Sequence, residues 1–100
     1  MKKPIDHHAY RRVALAVIWR AADDMRRKGT HIPKEWVDAT VFLASKAAFR
    51  WLDAAKLEPV PTLQALRWAF YAKELLADPK IEMSEEERAL LVGGVILLNG

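Results

Sequence analysis

The stretch VFLASKAAFRWLDAAKL, residues 41–57, decides the fold. It sets Phe42, Leu43, Phe49, Trp51, Leu52 and Leu57 in mid-chain, between helical patterns that each need an apolar surface to pack against. Ser45 is its pivot. Such a residue either rides inside one long helix or caps a new one beginning at Lys46. The face defined by Trp36, Thr40 and Leu43 does not run cleanly into Phe49 and Trp51. A break at Ser45 is therefore expected, with helices over 33–44 and 46–57 and both aromatic pairs turned inward.

Toward the N-terminus, Tyr10, Val13, Ala14, Val17, Ile18, Ala21 and Met25 recur at steps of three and four, forming one apolar stripe. Asp6 is placed to cap that helix, and Gly29 to end it in the left-handed conformation. Arg26, Arg27 and Lys28 complement the negative end of its dipole. The expected helix is 6–28, preceded by a flexible N-terminus over 1–5. After a connector at 30–32, Pro33 suits a first helical position because it has no N–H to leave unpaired.

Toward the C-terminus, Glu58-Pro59-Val60-Pro61 reads as an extended link, since two prolines in three residues oppose a helix interior. Thr62 then caps a helix over 62–78, closed by Asp78-Pro79. Ser84-Glu85-Glu86-Glu87 is a capping box that opens a helix over 84–98. From Ala89 the chain reads ALLVGGVILL, apolar on every face. A helix of this kind is central to a core or covered by a partner. Each glycine of Gly93-Gly94 costs about 1 kcal/mol relative to alanine. The pair implies close backbone packing, or an early end followed by an extended tail in which Val95, Ile96 and Leu97 would tolerate a strand. The expected fold is all-α: one domain, 1–100, as a compact bundle of about five helices (6–28, 33–44, 46–57, 62–78 and 84–98).

One hundred residues, 52% of them apolar, suffice for a single core without disulfide or metal staples. There is no cysteine, which removes thiolate zinc sites and cysteine nucleophiles and fits a reducing compartment. MKKPID lacks the apolar run of a signal peptide, and the ten apolar residues 89–98 fall short of the roughly 20 that span a bilayer. A soluble, cytoplasmic protein with no membrane partner is expected. The net charge of +3 hides an asymmetry. Residues 1–50 hold 11 Lys/Arg against 5 Asp/Glu, or +6; residues 51–100 hold 5 against 8, or −3. A basic half can meet nucleic acid, an acidic protein surface or the acidic half of a second copy.

No constellation points to catalysis. His7 and His8 are adjacent, so on a helix they diverge by about 100° and do not share a metal, which wants a spacing of four. Asp23-Asp24 lie among arginines, and the Glu85–Glu87 triplet is explained by capping. Neither has the apolar pocket that a working carboxylate needs. Ser45 has no elbow glycines, and the glycines at 29, 93, 94 and 100 make no phosphate loop. The chain is expected to be no enzyme and to hold no cofactor or metal.

Recognition of another macromolecule is the remaining class. Arg12, Arg20, Arg26, Arg27 and Lys28 are the candidate partner-binding residues, able to steer toward an acidic partner or to contact phosphates. A helix-turn-helix over 46–57 and 62–78 would need a polar recognition helix, whereas 62–78 is apolar apart from a narrow polar stripe including Gln64, Arg67 and Tyr71. Four Trp favour protein contact, because Trp is a preferred interface anchor. Leu91, Val92, Val95 and Ile96 are the candidate interface of a homodimer built on the last helix.

From Trp36 to Arg67 the line WVDATVFLASKAAFRWLDAAKLEPVPTLQALR resembles small phage- and prophage-encoded helical accessory proteins of unknown function. The shared elements are the basic helix Arg11–Lys28, the step Phe42-Leu43-Ala44-Ser45, the pair Phe49/Trp51 and the link Leu57-Glu58-Pro59. The likeness covers residues 11–67. Lys56, where a glycine is usual, and Pro61 depart from it. It implies an accessory protein that binds and modulates a host protein in the host cytoplasm, including inhibitory, anti-defence roles. It implies no activity for any single residue.

Overall fold

The computed structural model describes residues 7–26 and 33–99. Every regular element among the described residues is a helix, and none is a strand. The helices are α1 (His7–Arg26), α2 (Pro33–Leu43), α3 (Lys46–Ala54), α4 (Pro59–Ala65), α5 (Trp68–Ala77) and α6 (Glu85–Asn99). The expected Asp6 cap, the Gly29 stop, the flexible 1–5 and the connector 30–32 lie outside the described residues, as do Arg27 and Lys28.

The inner face of α1 carries Ala14, Ile18, Ala21, Ala22 and Met25, all buried, and packs on α2 and α3. Tyr10 and Val13, expected in that stripe, are exposed at its edge. Tyr10 leans on Trp51 of α3, ring centroids 6.2 Å apart. Next to it, Arg11 Nε–H donates to the Ala55 carbonyl, 3.1 Å away. That carbonyl belongs to the unsatisfied C-terminal set of α3, where a cation also complements the dipole.

The break at Ser45 is present, and one hydroxyl serves both sides of it. Ser45 Oγ accepts from the Ala48 N–H at 3.3 Å as the N-cap of α3, and donates to the Phe42 carbonyl at 2.6 Å. The end of α2 tightens, with the Ala44 N–H donating to Val41 rather than one residue further back. At its other end, α3 stops three residues short of the expected 57. Lys56 adopts φ 62°, the Leu57 N–H donates to the Leu52 carbonyl, and the Lys56 N–H donates to Asp53. This is the Schellman pattern, with lysine in the position glycine usually takes.

Two expectations for 58–78 are corrected. The prolines open a helix instead of forming an extended link. Glu58 is extended, as a residue before proline prefers, and serves as N-cap; Pro59 and Pro61 fall in the first turn of α4, where N–H groups lack helical acceptors anyway. Thr62 is inside that helix, donating its N–H to the Glu58 carbonyl. The expected helix 62–78 is two helices, because Arg67 takes φ 60°, ψ 35° and turns the chain between α4 and α5. A left-handed non-glycine residue costs on the order of 1 kcal/mol.

Trp68 explains what that turn accomplishes. It is wholly buried, and its indole N–H donates to the Thr40 carbonyl at 2.8 Å. Thr40, also fully buried, satisfies its own hydroxyl by donating to the Trp36 carbonyl at 2.7 Å. Thus α5 is keyed to the end of α2, and α6 closes over the same ring. The Trp36 indole N–H, by contrast, is buried without a hydrogen-bond partner among the described residues. The capping box forms as expected: the Glu87 N–H donates to Ser84 Oγ at 3.1 Å, and the Ser84 N–H to Glu87 Oε1 at 3.0 Å. Residues 95–98 are helical, so α6 has no extended tail there.

Candidate functional site

The sequence-derived candidates fall on two surfaces. On α1, Arg12, Arg20 and Arg26 are all exposed. Arg12, Trp19 and Arg26 are spaced by seven residues, two helical turns, and therefore share one face. Trp19 stands 54% exposed between the two arginines, with Asp23 one turn further along. Among the described residues, none of the three arginines is held in an ion pair.

On α6 the four interface candidates divide. Leu91 is fully buried within its own chain and belongs to the core, which corrects its assignment to an interface. Val95 is half-buried against that core. Val92 and Ile96 do face outward, 42% and 67% exposed, joined by Leu97 at 66%. A helix that reads apolar all round thus turns Leu91, Val95 and Leu98 inward and leaves a second apolar face bare.

Beside that bare face lies an apolar groove of about 520 Å³. One wall is α6, with Ala89, Leu90, Gly93 and Leu97. The other is Phe49 of α3 with Pro59, Val60 and Leu63 of α4. Trp68 and Gly94 form the floor. No ionisable side chain is among its lining residues. A second cavity of similar volume, between α2 and residues 80–87, is lined by Lys34, Asp38, Lys80, Glu82 and Glu87. Its charges have both signs, so it presents no single field to a charged ligand.

The two glycines do different things. A Cβ on Gly94 would overlap the Trp68 ring, with Cζ3 only 2.7 Å away, so close packing of α6 onto Trp68 requires glycine there. A Cβ on Gly93 would meet nothing within 4 Å. The fold of one chain gives Gly93 no reason, although a helix-interior glycine costs about 1 kcal/mol relative to alanine.

The groove was not legible in the sequence, because its walls come from helices whose prolines read as a link. The one signal was the Gly-Gly pair in an apolar run. Among the described residues, no three His, Cys, Asp or Glu converge as metal ligands, and no helix is long and apolar enough to cross a membrane. The chain matches no family model, no curated protein and no solved structure.

Proposed function

We propose that this chain is a non-enzymatic, protein-binding accessory module whose apolar groove takes the apolar face of a helix from another polypeptide. The observation that carries this reading is the groove itself. Leu90, Leu97, Val60, Leu63 and Phe49 form an uncharged slot open to solvent beside the exposed Leu97. Helix-in-groove recognition needs such a slot and a row of apolar anchors to fill it. The likeness to phage accessory proteins points to host machinery as the setting, and Arg12, Arg20 and Arg26 supply a field that steers an acidic partner. The test is affinity capture from host lysate by the wild-type chain and by Leu97→Asp, each with and without nuclease. A protein retained by the wild type, lost with Leu97→Asp and indifferent to nuclease supports the reading. Equal retention by both chains removes it.

A second reading, a nucleic-acid-associated regulator, is favoured by Trp19 standing between Arg12 and Arg26. Exposed aromatic rings stack on unpaired bases, and flanking arginines contact phosphates. It predicts retardation of single-stranded DNA or RNA that weakens steeply with salt and disappears in Arg12→Glu/Arg26→Glu. No retardation at low salt eliminates it.

A further inference from the structure

We infer that α4 is a hinged flap: the stretch 58–66 swings as one body about Lys56 and Arg67 and so sets how wide the apolar groove stands. This rests on the groove reading only for what the flap opens, since the motion itself needs no occupant.

Both corners of the flap are left-handed. Lys56 holds φ 62° and Arg67 φ 60°, and among the described residues no other non-glycine residue has positive φ. A residue with a Cβ takes this conformation at a cost, which is released when the corner turns back to the right-handed or extended region. Both side chains are exposed, so that rotation displaces no core packing at the corner itself.

The chain is fastened immediately outside each corner. Ala55, one residue before Lys56, is buried, and its carbonyl accepts from Arg11 Nε–H at 3.1 Å. Trp68, one residue after Arg67, is buried, and its indole donates to the Thr40 carbonyl at 2.8 Å. Between the corners there is no such tie. The Thr62 N–H bonds Glu58, the Leu66 N–H bonds Thr62 and the Arg67 N–H bonds Gln64; among the described residues, no hydrogen bond of 58–66 reaches another helix.

Pro59 and Pro61 fix φ at the head of α4, so the segment moves as a stiff piece. Apolar contact alone holds it shut. Leu63 and Leu66 are buried, whereas Val60, Pro61, Gln64 and Ala65 are exposed. A segment with few buried contacts belongs to the low-stability end of a fold. Hinges sit at element ends, where a few residues absorb the backbone change. Pro59, Val60 and Leu63 are the share of α4 in the groove wall, facing Leu90, Gly93 and Leu97 of α6. Turning the flap outward widens the slot over Trp68.

Native-state hydrogen exchange, read by NMR on the whole chain, tests this. The amides of 62–67 should exchange through one shared opening with weak urea dependence, about tenfold or more as often as those of Leu52 in α3 and Leu75 in α5. In Lys56→Gly/Arg67→Gly, glycine relieves the closed corners, so the same opening should become rarer, by about fivefold per corner. Amides of 62–67 as protected as Leu52 and Leu75 overturn the inference, as does an opening that the double variant leaves unchanged. Anilinonaphthalene sulfonate, a dye for exposed apolar surface, separates the flap from the groove reading. Dye bound by the wild type and lost in Leu97→Asp, with 62–67 as protected as Leu75, keeps the groove and discards the flap. The shared opening without dye binding keeps the flap and discards the groove.

Discussion

The indole N–H of Trp68 reaches across 28 residues to the carbonyl oxygen of Thr40, 2.8 Å away and sealed from water. That carbonyl is free because the last turn of α2 tightens and the Ala44 N–H goes to Val41 instead. Trp68→Phe keeps most of the ring volume and deletes the donor, leaving a buried acceptor unpaired. The expected loss is about 1–3 kcal/mol. Urea unfolding should show a lowered midpoint with an unchanged slope, and an unchanged midpoint would mean that the bond carries no net stability.

The adjacent glycines predict opposite signs. Gly93→Ala adds a methyl group that meets nothing and removes a flexible residue from a helix interior. It should stabilise the chain by about 0.5–1 kcal/mol. Gly94→Ala drives its methyl into a ring held by its own hydrogen bond. Strain of about 1–3 kcal/mol outweighs the gain in propensity. Thermal melts of the two single variants should move in opposite directions.

Two basic residues hold left-handed backbones, Lys56 at φ 62° and Arg67 at φ 60°. Glycine accepts that geometry without the Cβ penalty. Lys56→Gly should raise stability by about 0.5–1 kcal/mol, since the lysine is exposed and its backbone already makes the Schellman bonds. Arg67→Gly should gain less, because the Arg67 guanidinium sits 5.9 Å from the Phe70 ring centroid and that contact is lost. Chemical denaturation of both variants checks the order.

Ser45 and Ser84 cap α3 and α6 by the same chemistry but in different surroundings. Ser84→Ala removes half of an exposed capping box and should cost about 1 kcal/mol. Ser45→Ala removes an acceptor for Ala48 and a donor to Phe42 at a half-buried junction, and should cost more. Equal shifts in midpoint would show that the bond to Phe42 adds nothing.

Local signals were legible in the sequence wherever a side chain bonds its own neighbourhood. The Ser84–Glu87 box, the stop and restart at Ser45 and the apolar stripe of α1 from Ala14 to Met25 all depend on spacings of three and four residues, and all are present. Features set by distant partners were not legible. Arg67 has a good helical residue type, yet it takes a left-handed backbone directly before Trp68, whose indole bonds the distant Thr40. Pro59 and Pro61 read as breakers, yet both fall in the one turn of a helix that needs no donors. Leu91 could not be told from Ile96 by composition. Which side of α6 meets the core depends on where Trp68 lies, and the groove beside it depends on the same placement.

The four indoles are solvated very unequally, from Trp68 with no accessible surface to Trp19 with more than half of its own. This gives the chain a built-in optical reporter for two separate events. Iodide should quench the red emission of Trp19 while sparing the blue emission of Trp68. Occupation of the α1 face would then change one band, and loosening of the centre the other, with no dye attached.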